Sequence, residues 1–187
     1  MKTTKSYLTG TLMIVLVLAT SMSVVPQDSK PSKQSKKEAK RAKSVAEFQV
    51  LDSLLSSGRY VLEANYLQNK YGTMVSVPSN LNFISVDGPK GVLQTGADTR
   101  QGYNGVGGVT AEGNISDYEM RRDSKRLTVT ITFQILTTLG NYDIFMNIAG
   151  DNIASATISG STSGKLTWRG RIVSLDKSKV YKGHITY

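Results

Sequence analysis

Cysteine is absent from this chain of 187 residues, and histidine occurs once. Without cysteine there is no disulfide, no thiol nucleophile and no side chain for lipid attachment after a leader peptide. A single histidine and no cysteine also exclude the zinc and transition-metal sites that are built from these ligands. We therefore predict no metal site and no cofactor.

The single histidine, His184, is also a poor candidate for catalysis. It lies three residues from the end of the sequence, where an imidazole is hard to hold in register with a nucleophile. The G-x-S-x-G pattern of a nucleophile elbow does not occur. We predict that His184 is exposed to solvent, that the chain has no catalytic residues and that it is not an enzyme.

Paired carboxylates are the remaining route to catalysis. Glu112, Asp117, Glu119 and Asp123 lie close together in the sequence, on what we predict to be two adjacent strands. Glycosidases need two carboxyl groups that face one cleft, about 5–10 Å apart. Basic residues are interleaved with these acids, which favours ion pairs on a solvated face. A carboxylate-dependent hydrolase is therefore the less favoured alternative, and a shared concave pocket would support it.

Positive charge is concentrated near the N-terminus. The whole chain has 23 basic and 14 acidic residues, but residues 24–43 hold seven basic and two acidic residues, and residues 44–187 hold fourteen and twelve. A nucleic-acid-binding domain carries its basic patch on the folded surface, because phosphate contacts dominate its affinity. The even balance after residue 43 therefore argues against nucleic acid as a partner.

The first 23 residues have the pattern of a secretory signal peptide. The segment MKTTK is basic, residues 8–19 (LTGTLMIVLVLA) are apolar, and small residues follow. The apolar stretch is too short for a typical spanning helix, although an uncleaved N-terminal anchor is the alternative. We predict export to the periplasm or the extracellular space, as a protein that is not a lipoprotein and has no membrane span after cleavage.

The residues after the signal peptide divide into a linker and a helix. Residues 24–37 are polar, lysine-rich and contain proline, which predicts a disordered basic linker. Residues 38–57 carry apolar side chains at spacings of three or four, namely Ala42, Val45, Phe48, Leu51 and Leu55. This pattern predicts an amphipathic helix that plugs one end, or covers one face, of the domain that follows.

From residue 58 to residue 187 the apolar period is two. The clearest case is residues 127–135, where Leu127, Val129, Ile131, Phe133 and Ile135 alternate with polar residues, and residues 142–148 repeat the pattern. Weaker strands are predicted elsewhere, including 109–116 and 118–122 as separate strands. Short turns rich in Gly and Asn allow only antiparallel neighbours. The sequence predicts a mainly β fold, an antiparallel meander of about eight or nine strands that forms a barrel or a sandwich and makes one folded unit with the helix.

A barrel of about eight strands is either filled by side chains or holds one small apolar molecule. A fully packed core is the simpler prediction. If a pocket exists, alternation places Tyr142 and Met146 on the inner face, and Tyr103, in the glycine-rich loop 102–108, near a rim. These three residues are the predicted ligand-binding residues.

Four blocks of sequence resemble a known family. They are SGRYVLEANYLQ, LNFISVDG, GYNGVGGVTAEGNISDYEM and YDIFMNIAGDNIASATISGSTSGKLTWRGRI, within residues 40–173. The chain is similar in these blocks to domain-of-unknown-function family 4251, a family of exported β-rich proteins found chiefly in Bacteroidetes. The resemblance implies export and a β fold, and it implies no activity.

These observations favour a non-enzymatic protein of the periplasm or the cell surface, with a binding or structural role. The alternatives are a barrel that binds a small apolar ligand and, less favoured, the hydrolase. The sequence does not identify the partner; a small apolar ligand or a component of the cell envelope fits the predicted location.

Overall fold

The computed structural model describes residues 32–97, 104–160 and 165–186. It contains one long helix, nine strands and a short 3-10 helix. The helix is α1 (Lys33–Ser56). The strands are β1 (Arg59–Gln68), β2 (Met74–Ser76), β3 (Phe83–Asp87), β4 (Lys90–Thr95), β5 (Val109–Asp123), β6 (Thr128–Thr137), β7 (Gly140–Ala149), β8 (Ile153–Gly160) and β9 (Lys165–Ser174), followed by the 3-10 helix Leu175–Lys177.

The strands form a closed antiparallel barrel. From β3 to β9 each strand pairs with the next one along the chain, and β1 pairs with both β3 and β9. The β1–β9 pairing closes eight strands into a ring, and the ninth strand, β2, pairs only with the end of β1. The predicted β meander is confirmed, and closure decides for the barrel over the sandwich.

The barrel interior is filled by the alternating apolar residues. Val129, Ile131, Phe133 and Ile135 of β6 are buried, as are Ile144, Met146 and Ile148 of β7. Leu127, the first residue of the predicted strand, has a φ of 55° and belongs to the turn before β6, although its side chain packs against the core. Strands β6 and β7 therefore each have one buried inner face, as the period of two predicts.

The two strands predicted at 109–116 and 118–122 are one continuous strand. Strand β5 contains a bulge, because its pairing with β6 shifts between Ser116, opposite Gln134, and Glu119, opposite Thr132. At the bulge Asp117 has a φ of 54°, a conformation that Asp tolerates better than most residues. In the sequence this local interruption has the same appearance as a turn between strands, which explains the incorrect division.

Helix α1 begins at Lys33, five residues before its predicted start, so the last five residues of the predicted linker are helical. Lysine, glutamine and glutamate favour helices, but a segment without apolar residues shows no stripe that marks where the helix begins. Phe48, Leu51 and Leu55 are buried, whereas Ala42 is exposed. The second half of the helix thus packs on the barrel and the first half extends beyond it.

The helix closes one end of the barrel. Its buried residues belong to the same apolar cluster as the inner faces of the strands. The Cβ of Phe48 lies next to Gly150, in the turn between β7 and β8, at 3.6 Å from the position of an added Cβ. We call the opposite end, where β7 and β9 begin and β8 ends, the distal end.

Residues 178–186 form a segment without regular secondary structure, and we call it the C-terminal segment. Its backbone amides donate to carbonyl groups of Asn80, Asn104 and Thr110, and Val180 packs on the outside of the barrel against a small apolar cluster. His184 is exposed, as predicted, but it lies on an anchored segment and not on a free tail. The outer face of β4 is apolar at Val92, which explains why the C-terminal segment covers this face.

The predicted signal peptide, residues 24–31 of the predicted linker and Tyr103 lie outside the described residues. Within the described part of the chain, no helix has both the length and the apolar character that a membrane crossing requires.

Candidate functional site

The distal end of the barrel contains a cavity of about 340 Å³, which we call the distal cavity. It is bounded by the ends of β4 and β8 and by the beginnings of β5, β7 and β9. Most of the lining is apolar. The lining residues are Leu93, Thr95, Val109, Ala111, Tyr142, Ile158, Gly160, Lys165, Leu166 and Trp168.

Tyr142 forms one wall of the distal cavity. It is paired with Gly160 on the neighbouring strand. A Cβ atom at position 160 would lie 3.3 Å from Cε1 of Tyr142, closer than most carbon contacts in proteins. Glycine at position 160 therefore allows the tyrosine ring to lie against the backbone of β8 at the edge of the cavity.

Trp168 lies on β9 and is the only tryptophan of the chain. Its side chain is 1% exposed, and its indole Nε1 has no hydrogen-bond acceptor among the described residues. A buried N–H group without a partner costs about 1–3 kcal/mol, and most buried polar groups have one. Trp168 is thus a buried donor that lines a cavity and has no acceptor in the described protein.

Lys165 is the only charged residue among the described residues that line the distal cavity. It is exposed at the beginning of β9, and in the described ranges it forms no salt bridge. Tyr142 likewise has no side-chain hydrogen bond within these ranges, whereas Thr95 accepts one from the amide of Val109 at 3.3 Å. The polar groups without a described partner at this site are therefore an indole, a phenol and an ammonium group.

Of the three predicted ligand-binding residues, the structure places one at the cavity. Tyr142 lines it; Met146 is fully buried in the barrel core and is not among the lining residues; Tyr103 lies outside the described residues. The prediction missed Trp168 and Lys165. A signal for Trp168 was available, because it alternates with polar residues on a predicted strand and is the largest apolar side chain of the sequence.

The four carboxylates of the hydrolase alternative lie along the single strand β5. Glu112 accepts a hydrogen bond from Lys182 at 2.7 Å, and Asp123 accepts from two backbone amides in the turn before β6. Asp117 and Glu119, together with Asp143 of β7, line an open groove of about 660 Å³ on the outside of the barrel. We call it the outer groove. Glu119 is bound to Arg121 at 2.8 Å and both side chains are more than half exposed.

Metal binding has little support in the described ranges. No group of three or more histidine, aspartate or glutamate side chains there lies close enough together to hold a metal ion. The three acids of the outer groove therefore do not form a metal site with one another.

Comparison with known proteins identifies a family. Residues 42–172 match the family described as Domain of unknown function (DUF4251). A crystal structure of a DUF4251 family protein from Bacteroides eggerthii DSM 20697 is 31% identical to this chain and has a TM-score of 0.61, and the match covers 73% of this chain and 93% of that chain. No curated protein matches the sequence. The family predicted by resemblance is confirmed, and the source of that relative fits the Bacteroidetes.

Proposed function

Because this chain belongs to the DUF4251 family, whose description names no activity, we propose a function from its own geometry. The protein is a non-enzymatic binding protein that acts outside the cytoplasm and holds a small apolar molecule in the distal cavity. The observation that carries this proposal is the buried indole N–H of Trp168, which has no acceptor among the described residues and lies in a mostly apolar lining. Ligand sites in proteins combine a mostly apolar wall with a few polar groups that orient the ligand.

The size of the cavity limits the ligand. A volume of about 340 Å³ holds roughly eleven waters at about 30 Å³ each, which corresponds to a small molecule and is near the lower limit of typical ligand pockets. Each methylene group that moves from water into such a site contributes about 0.8 kcal/mol. A short hydrocarbon chain or a small aromatic molecule would therefore bind with useful affinity.

Binding without catalysis is supported by the absence or the position of the residues that usually catalyse reactions. The chain has no cysteine, and His184 is exposed on the C-terminal segment. The carboxylates that sequence reasoning singled out are not among the residues that line the distal cavity. Export is supported by the signal-peptide pattern of residues 1–23.

Titration with the neutral fluorophore N-phenyl-1-naphthylamine tests the proposal. We expect one bound molecule per chain, with increased fluorescence of the fluorophore. Ala111→Phe places a ring in the cavity and should abolish binding, while Ala42→Phe, the same change on the exposed part of α1, should leave it unchanged. Thermal unfolding of both variants confirms that they are folded. Absence of binding to the unaltered protein, or equal binding by Ala111→Phe, would contradict the proposal.

A second candidate, the hydrolase, is favoured by one observation: Asp117 and Glu119 line the same outer groove as Asp143. Against it, Glu119 is exposed and bound to Arg121, whereas a catalytic acid is usually held in an apolar site that keeps it protonated. A panel of 4-nitrophenyl glycosides tests this candidate. Hydrolysis that Asp117→Asn or Glu119→Gln abolishes, and that Glu112→Gln retains, would establish the enzyme; we expect none.

A further inference from the structure

We infer that the ligand of the distal cavity is an apolar molecule that ends in a carboxylate, an inference that rests on the proposed binding function. The argument depends on which kinds of polar group line the cavity. Trp168 Nε1 can only donate a hydrogen bond, and the ammonium group of Lys165 can only donate. The hydroxyl of Tyr142 can donate as well. In the described residues none of these three groups has a partner.

A lining whose free polar groups are donors is complementary to a group that only accepts. An ionised carboxylate offers two oxygens with about four lone-pair sites and has no proton to donate. An alcohol oxygen offers two lone pairs and brings a hydroxyl proton that only the Tyr142 oxygen, among these three groups, can accept, and an amine would bring a positive charge. Among common end groups of small apolar molecules, the carboxylate therefore fits these three residues best.

Charge supports the same conclusion. Among the described residues Lys165 is the single charged residue of the lining, so no described acid of the lining opposes an anionic ligand. Lys165 also lines the outer groove, together with Asp117, Glu119 and Asp143, but no salt bridge joins it to them. An ion pair between Lys165 and a bound carboxylate at the edge of an apolar cavity is less screened than one on an open surface.

The positions of the three donors suggest how the ligand lies. Lys165, the first residue of β9, is exposed at the edge of the barrel, whereas Trp168, three residues further along, is buried. Because residues three apart on a strand point to opposite faces, the ammonium group of Lys165 reaches the carboxylate over this edge, along its flexible four-carbon stem. The apolar residues Leu93, Ala111 and Ile158 complete the wall. The carboxylate lies between the edge and the indole, and the hydrocarbon part contacts the apolar wall.

Isothermal titration calorimetry with octanoate, octanol and octylamine compares the affinities of three end groups that are attached to the same hydrocarbon. We expect octanoate to bind at least tenfold more tightly than octanol, and octylamine to bind most weakly. Lys165→Met should lower the affinity for octanoate about tenfold and leave that for octanol unchanged. Lys33→Met, which removes an exposed lysine of α1, is the matched control and should change neither.

Trp168→Phe keeps a ring in the cavity and removes the N–H donor. We expect a several-fold loss of octanoate affinity in this variant, and thermal unfolding confirms that it is folded. Equal affinities of the unaltered protein for octanoate and octanol, or binding of N-phenyl-1-naphthylamine without octanoate, would overturn the carboxylate inference and leave the proposed function standing. Failure of all four compounds to bind would overturn both.

Discussion

The hydroxyl oxygens of Tyr60 and Tyr118 lie 3.2 Å apart. This hydrogen bond joins β1 to β5, which is three strands away around the barrel. Tyr118 is in the bulge of β5, and its ring stacks on Phe133 with the ring centroids 5.8 Å apart. Bulges commonly redirect a side chain, and the extra residue in β5 accounts for a tyrosine that reaches a buried partner although it is itself partly exposed.

Burial raises the pKa of both hydroxyls above the ordinary tyrosine value, and desolvation is the largest cause in each case. A pKa that is higher in the folded than in the unfolded state means that the hydroxyl keeps its proton to a higher pH when the protein is folded. The stability associated with Tyr60 is fully present below about pH 10 and is lost as the pH rises further, by up to about 1.4 kcal/mol per pH unit.

We expect Tyr60→Phe to reduce this loss of stability at high pH. Urea unfolding between pH 8 and pH 11 measures the free energy of unfolding of each protein. The unaltered protein should lose more stability over this range than Tyr60→Phe, because only its unfolding exposes the Tyr60 hydroxyl and lets it lose its proton. Tyr71→Phe, which changes a tyrosine that is 81% exposed, should follow the unaltered protein. If the free energy of unfolding falls equally with pH in all three proteins, Tyr60 does not cause the loss of stability at high pH.

Packing of α1 on the barrel leads to a second prediction. Phe48→Ala and Leu51→Ala should each lower the free energy of unfolding by about 2–5 kcal/mol, since both side chains are buried in the main apolar cluster. Val50→Ala, which truncates an apolar residue that is 73% exposed on the same helix, should have little effect. Chemical unfolding provides the values, and equally small effects of all three changes would indicate that the helix does not pack on the barrel.

Most of the barrel could be predicted from the sequence because each inner face repeats every two residues. The residues of β6 and β7 illustrate this, since their inner side chains are all apolar and their outer ones mostly polar. Closure could not be predicted, because alternation identifies a strand without identifying its partner. The pairing of β1 with β9 joins segments about a hundred residues apart, and it is this pairing that distinguishes the barrel from a sandwich.

The candidate site was predicted only in part because alternation does not give depth along the barrel axis. Tyr142 and Met146 share the inner face of β7, but a strand rises about 3.3 Å per residue, which separates them by roughly 13 Å. One lines the distal cavity and the other is in the packed core. Depth depends on where the helix and the turns lie, and these positions are set by long-range packing.

Export leads to a third prediction. If residues 1–23 are a cleaved signal peptide, N-terminal sequencing of the exported protein should begin near Val24. Val15→Arg together with Val17→Arg interrupts the apolar stretch and should leave the full-length chain in the cytoplasm. Lys36→Gln, a change outside the leader, is the control and should not affect export. An exported product that retains Met1 would contradict cleavage.

The buried side chain of Gln94 connects β4 to the C-terminal segment. Its Nε2 donates to the carbonyl groups of Leu81, at 3.1 Å, and Tyr181, at 2.8 Å. Its Oε1 accepts from the hydroxyl of Thr110 and from the amide of Gly183, at 2.9 and 2.8 Å. The side-chain amide thus forms all four hydrogen bonds that it can form, and Gln94 has no exposed surface. The burial of Gln94 could not be predicted, because a glutamine in an alternating strand is normally assigned to the solvated face.

We expect Gln94→Leu to release the C-terminal segment. Leucine has a similar size but would remove one hydrogen bond from each of four polar groups. Thr110 would keep its bond from Asn104, and each group left without a partner costs about 1–3 kcal/mol if it stays buried. Detachment of residues 178–186 lets water satisfy these groups, so it is the less costly outcome. Hydrogen exchange should then show loss of protection at the amides of Tyr181, His184 and Thr186, which donate to backbone carbonyls in the intact protein.

Gln134→Leu, at a partly exposed glutamine bound to Asp143, should leave this protection unchanged. Retained protection in Gln94→Leu would mean that the apolar contact of Val180 is sufficient to hold the segment.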